Sequence, residues 1–228
     1  MFQGFSQETV DFMWGIRFNN EKSWFEANKP AYLRSFYEPM KALGAEVQER
    51  LLDRFPDSQL NLKISRIYRD ARRLFGRGPY KDHLWLTLFR WDERDDGARP
   101  ALWFELTPEG WSYGMGFWCA KPVVMAKHRA RIDRDHKPLL KLANRLDLQE
   151  EFVLEGPDYV KLSREAPHKT LAPWYKKRSL ALSHEEELTE VLYSHDLVDR
   201  LVEGFTFLMP YYDYFSTLWA DPDPRNPQ

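Results

Sequence analysis

The chain has 228 residues, with 33 Lys and Arg against 35 Asp and Glu, a formal net charge of −2 and a pI near 6.3. A slightly acidic chain lacks the broad positive field that sequence-independent nucleic-acid binding needs, which argues against bulk binding and leaves only a local basic patch. Hydrophobic residues make up 43% and aromatic residues 15%, a composition suited to a packed core and contrary to disorder.

In chain order, Ser6 is an N-cap for a helix carrying Val10, Phe12, Met13 and Phe18 at three- and four-residue spacing. Asn19-Asn20 breaks it, and a short helix with Trp24 and Phe25 follows. Pro30 fits the first turn of a further helix running toward Phe55, which Pro39 and Gly44 are expected to bend or split. Leu60, Leu62 and Ile64 alternate with polar residues, as in a strand. The segment HLWLTLFRW (83–91) is apolar at both parities and predicts a strand covered on both faces. Asp92 to Gly97 predict a turn. ALWFELT and WSYGMGFW then flank Thr-Pro-Glu-Gly and predict a hairpin.

Pairing Leu106 with Trp111 in that hairpin puts Trp103 opposite Gly114 and Glu105 opposite Ser112. Trp103 then either covers the bare Gly114 lane or helps form a ligand surface there. After Pro122, helices are expected over 123–132 and 138–148, then a loop of about thirty residues rich in Pro, Gly and Lys. KRSLALS (177–183) reads as an edge strand, and Ser183 with Glu186 as a capping box for a helix through Leu192. Asp196 caps a last helix carrying Leu197, Leu201, Phe205 and Leu208, kinked at Pro210. The expected class is α+β, a mainly antiparallel sheet with helices from the N- and C-terminal parts packed on it.

The chemistry concentrates in ISRIYRDARRLFGRGPYKDH (64–83). On strand alternation Arg66, Tyr68 and Asp70 share the inward parity of Leu62 and Ile64, so a half-buried arginine is expected to need an anionic partner. That partner is either a carboxylate of this chain, Asp70 or Glu105, or an external anion. The second reading is an anion pocket in which Arg66, Arg69, Arg72 and Lys81 hold a phosphate or carboxylate, Tyr68 and Tyr80 frame it, and Trp103 and Gly114 border it. Gly76-Arg77-Gly78 adds the prospect of a backbone nest, although no P-loop pattern is present. His83, Glu105 and Asp70 are the candidate proton carriers. His128 and His136 lack a third ligand at metal spacing, so no metal site and no cofactor is assigned.

The single cysteine, Cys119, cannot form an internal disulfide, which points to a cytoplasmic chain. MFQGFSQETVDF has no signal-peptide pattern, and no window reaches the roughly 20 apolar residues of a spanning helix, so no membrane partner is expected.

Two sets of residues resemble a known family. NNEKSWFEANK (19–29) is similar to the N-N-x-x-W-F-x-x-N-K opening of domain-of-unknown-function family 2461. Arg66-Ile67-Tyr68-Arg69-Asp70 with Arg72, then Pro79-Tyr80-Lys81 and His83, resembles its central signature. Where that family reads R-F-S-K-D-K, this chain has Arg72-Arg73-Leu74-Phe75-Gly76-Arg77, without the acidic residue and one lysine. The resemblance implies a single domain, taken over 1–220, and it implies no activity, cofactor or catalytic residue, while the Pro-rich, polar composition of DPDPRNPQ predicts a flexible tail at 221–228. The leading functional expectation is therefore a domain binding a small anionic ligand. The alternatives are a protein-interaction module with structural arginines and, more weakly, a local nucleic-acid contact.

Overall fold

The computed structural model describes residues 1–90, 99–162 and 164–225. The turn expected at Asp92 to Gly97 lies outside them. Helices α1 (Gln7–Phe18), α2 (Lys22–Ala31) and α3 (Glu38–Arg54) precede strands β1 (Leu60–Ile64), β2 (Leu84–Arg90), β3 (Ala101–Leu106) and β4 (Gly110–Gly116). Helices α4 (Pro122–Arg134) and α5 (Lys137–Leu146), strand β5 (Val153–Glu155), helix α6 (Ala172–Tyr175), strand β6 (Ala181–Glu187) and helix α7 (Asp196–Ser216) complete the chain. The strands form one sheet in the order β1-β2-β3-β4-β6-β5, and the fold is α+β with an antiparallel sheet.

The residues group into two compact units, one of Met1–Arg90, Trp103–Tyr113 and Glu185–Gly204, the other of Trp91–Leu102, Gly114–His184 and Phe205–Gln228. In the first, Ser6 and Thr9 form the capping box that starts α1, with the Ser6 N–H donating to Thr9 Oγ1 at 3.1 Å. Pro30 sits inside α2, and the expected break falls instead in a π-helical segment, Tyr32–Tyr37, that joins α2 to α3. Pro39 occupies the first turn of α3, and Gly44 is buried within that helix. The α3 helix packs its Met40, Leu43, Val47 and Leu51 face over β1 and β2. In β2, Leu84, Leu86 and Leu88 are fully buried while Trp85, Thr87 and Phe89 are partly exposed. One face, and not both, is therefore sealed. Leu62 pairs with Leu88 and Ile64 with Leu86 across the β1–β2 ladder.

In the second unit the core gathers Val124, Met125, Ile132, Leu139, Trp174, Tyr211 and Phe215, with Trp174 stacked on Tyr211 and Phe215. The expected thirty-residue loop contains β5 and α6. The expected helix start at Ser183 is a strand. Ser183 is buried in β6 opposite Val153, and β6 lies between β4 and β5, so it is not an edge. A Ser-x-x-Glu spacing fits a capping box and a strand equally well, and pairing on both sides decides it.

Candidate functional site

Strand β1 ends at Ile64, and the parity counted from Leu62 does not continue beyond it. Ser65 and Ile67 are each 2% exposed and Arg69 is half-buried, whereas Arg66, Tyr68 and Asp70 face solvent. The expected half-buried arginine is therefore Arg69. The Ser65 N–H donates to Trp85 O at 2.8 Å, which brings the chain alongside β2 before it departs. Tyr68 then bridges Tyr80, flanked by Arg69 N–H to Pro79 O (2.8 Å) and Lys81 N–H to Ile67 O (2.7 Å). This short ladder closes the loop 70–78.

Asn20 finishes the closure. Its Nδ2 donates to Tyr80 O and its Oδ1 accepts from the Tyr80 N–H, both at 2.9 Å, so one side chain acts as a neighbouring strand would. Gly78 is needed for this approach, since a Cβ there would lie 2.1 Å from Asn20 Oδ1. Beneath the ladder, Phe25 stacks on Tyr80 with centroids 4.3 Å apart and meets Tyr68 and Tyr32 edgewise or tilted. Tyr80 is thus a buried platform residue, and Tyr68, 52% exposed, is the ring open to a ligand.

In the loop itself, one of the N–H groups expected for a nest is spent internally. Phe75 and Gly76 have positive φ (47° and 80°), but the Arg77 N–H donates to Leu74 O at 2.8 Å and is already used. Asp70 caps the turn Ala71–Arg73 and takes Arg72 Nε at 3.0 Å and Nη2 at 2.9 Å. Asp70 therefore serves Arg72 at the surface. It is not the partner of the half-buried arginine.

That partner is Asp82, which the sequence reading did not single out. Arg69 donates from Nε to Tyr80 O at 2.8 Å, and its Nη2 lies 3.6 Å from Asp82 Oδ1. Asp82 also takes Arg17 Nε at 2.5 Å and His83 Nδ1 at 2.9 Å. The His83 and Arg17 hydrogen bonds hold the Asp82 carboxyl well below the usual carboxylate range despite its burial. His83 Nε2 lies 3.7 Å from Glu105 Oε1 in β3, so the ring stands between two carboxylates. Arg17 reaches on to Glu109, with Nη2 donating to Oε2 at 3.1 Å. Asp82 stands inside the Pro79–His83 signature, where its type and place were visible. Arg17, 65 residues away, carried no local signal.

Lys81 completes the cluster. Burial first, and then the Arg69 and Arg66 guanidinium groups, push its ammonium down to about 8, against a pull upward from Glu105. Its Nζ lies 5.5 Å from the Trp85 ring centroid and has no hydrogen-bond or ion-pair partner among the described residues. Arg66 is likewise without an ion pair among them.

Trp103 is half-buried in β3 of the same unit, and Gly114 is buried in β4 of the other. Glu105 also lines a cavity of about 380 Å³ with Glu109, Trp111 and Glu185 to Glu187, an acidic lining suited to cations rather than anions. Among the described residues no group of His, Cys, Asp and Glu is placed to hold a metal ion. No described helix is long and apolar enough to cross a membrane.

The fold and this loop define an α+β protein whose Arg-Ile-Tyr-Arg-Asp and Pro-Tyr-Lys segments are joined by a short backbone ladder, with Asn20, between α1 and α2, bracing the Tyr80 side of it. Over residues 8–214 the chain matches the family described as Conserved hypothetical protein (DUF2461), and it belongs to that family. No curated protein matches it.

Proposed function

We propose that this protein binds a small anion, through a phosphate or carboxylate group, beside the Tyr68–Tyr80 bridge. Arg66 and Lys81 supply the free charge, Arg69 the anchored charge, and exposed Tyr68 a flanking ring. The observation that carries this reading is the half-buried Lys81 ammonium, which lies over the Trp85 ring without a hydrogen-bond or ion-pair partner among the described residues and which an incoming anion would neutralise. Arg72 contributes little, because Asp70 neutralises it. His83, oriented by Asp82, is the group that can carry a proton next to the bound anion. One exposed cysteine suits a reducing, cytoplasmic setting.

The competing reading treats the basic segment as internal strutting, and the Arg69–Asp82–Arg17 chain favours it for Arg69 alone. Acetylation of Lys81, followed by mass spectrometry across pH, separates the two. Millimolar phosphate, pyrophosphate or citrate is expected to raise the Lys81 pKa by about one unit and slow labelling near its midpoint. Arg66→Ala is expected to raise that pKa in the free protein and weaken the anion effect. Labelling indifferent to all three anions would sink the proposal.

A further inference from the structure

In the second unit, α4 forms one wall of a cavity of about 500 Å³, and Leu162, Arg164, Tyr175 and Pro224 form the rest. Ala126 and Ala130, one turn apart, leave room on that wall, while Arg129, Asp133 and Arg134 bring charge. Asp133 is already engaged. It accepts from Tyr175 Oη at 3.0 and 3.1 Å and lies 3.8 Å from Arg164 Nη1. Burial and that hydrogen bond push the Tyr175 phenol up to about 12, so it stays a donor. Asp221 takes Arg131 Nε at 2.6 Å and leaves Arg134 at 4.0 Å. Among the described residues Arg129 has no such ion pair, and its guanidinium lies 4.8 Å over the Tyr159 ring. Nη1 is covered by protein, so the rest of the side chain is what lines the cavity. A guanidinium matches phosphate in charge and hydrogen-bond geometry.

We propose that this cavity is a second binding site, for a phosphomonoester carrying an aromatic or apolar body. Three arginines and one aspartate leave the lining with two positive charges, the complement of a phosphomonoester near neutral pH. The volume lies within the roughly 300–1,000 Å³ of small-molecule sites and exceeds what a bare phosphate fills. Leu162, Tyr175, Pro224 and the two alanines supply apolar surface for the body. The anion site proposed in the first unit uses none of these residues.

Isothermal titration of the full chain with phenyl phosphate, inorganic phosphate and phenol tests it. Phenyl phosphate is expected to bind more tightly than inorganic phosphate, and phenol not to bind. Arg129→Gln should weaken phenyl phosphate about ten-fold or more. Arg164→Ala, at an exposed side chain, should weaken it about three-fold, and it carries the test if melting curves show Arg129→Gln to be unfolded. Arg66→Ala should leave phenyl phosphate binding intact, which separates this site from the one in the first unit. Equal affinity for inorganic phosphate, affinity lost in Arg66→Ala but kept in Arg164→Ala, or no heat from phenyl phosphate would each overturn the proposal.

Discussion

Lys81 keeps its ammonium in a half-buried place beside two guanidinium groups, and this sets a measurable sign. Its folded pKa of about 8 lies below the ordinary 10.5, so between these values the unfolded chain binds the proton more readily than the folded one. Stability therefore rises with pH across that window, and the protonated lysine is a burden below it. Lys81→Met is expected to remove the rise and to melt higher than the parent below pH 8. Melting temperatures of both proteins from pH 7 to 10.5 check this, the difference between the two curves being the quantity read. Parallel curves would show that neither burial nor the neighbouring guanidinium groups lower the Lys81 pKa. Asp82 shows the opposite arrangement, a carboxylate surrounded by donors, and it gathers Arg17, Arg69 and His83 around one side chain.

The loop 70–78 depends on elements far from it in sequence. Asn20→Ala removes both bonds to the Tyr80 backbone and leaves its part-buried N–H without a partner, while Arg69 Nε still donates to the C=O, a loss of roughly 1–3 kcal/mol. Gly78→Ala forces the same asparagine away and is expected to cost a similar amount. Urea unfolding midpoints read both, and the double variant should lose less than the two single losses added, because both act on one contact. The same elements show what was legible in the sequence. Capping at Ser6, the Thr-Pro-Glu-Gly turn and the Leu84–Leu86–Leu88 alternation are written in neighbouring residues, and α1, β2, β3 and β4 follow from them. Strand β6 was legible only at its start, within KRSLALS, because the Ser183–Glu186 spacing imitates a helix start, and its central place and further extent are resolved only by its strand neighbours. Of the candidate site, the basic segment was visible as composition. Its internal partner was not, since Arg17 and Asp82 meet only after folding.

At the scale of the whole chain, a net charge of −2 conceals separate concentrations of charge: an acid-lined cavity and a cation cluster in one unit, and an arginine-lined cavity in the other. Acid stability is also set locally. His128 is fully buried, its Nε2 lies 3.3 Å from Trp174 O, and desolvation pushes its pKa down to about 3. The unfolded chain then takes up the proton first, so stability falls as pH drops from the ordinary 6.5 toward 3. His128→Leu is expected to flatten the melting-temperature profile between pH 6.5 and 4. A variant whose profile falls as steeply as the parent's would place the acid lability elsewhere. The π-helical segment Tyr32–Tyr37 works over a still longer span, joining α2 and α3 into one rod from Lys22 to Arg54. A wide turn of this kind holds one residue more than an α-turn, and each residue of an α-helix rotates the remainder by roughly 100°. It therefore acts as a phase shifter. Phe25 faces the Tyr68–Tyr80 bridge while Met40 to Leu51 face the sheet, and removing a single residue here would change the azimuth of one face against the other rather than the reach of the rod.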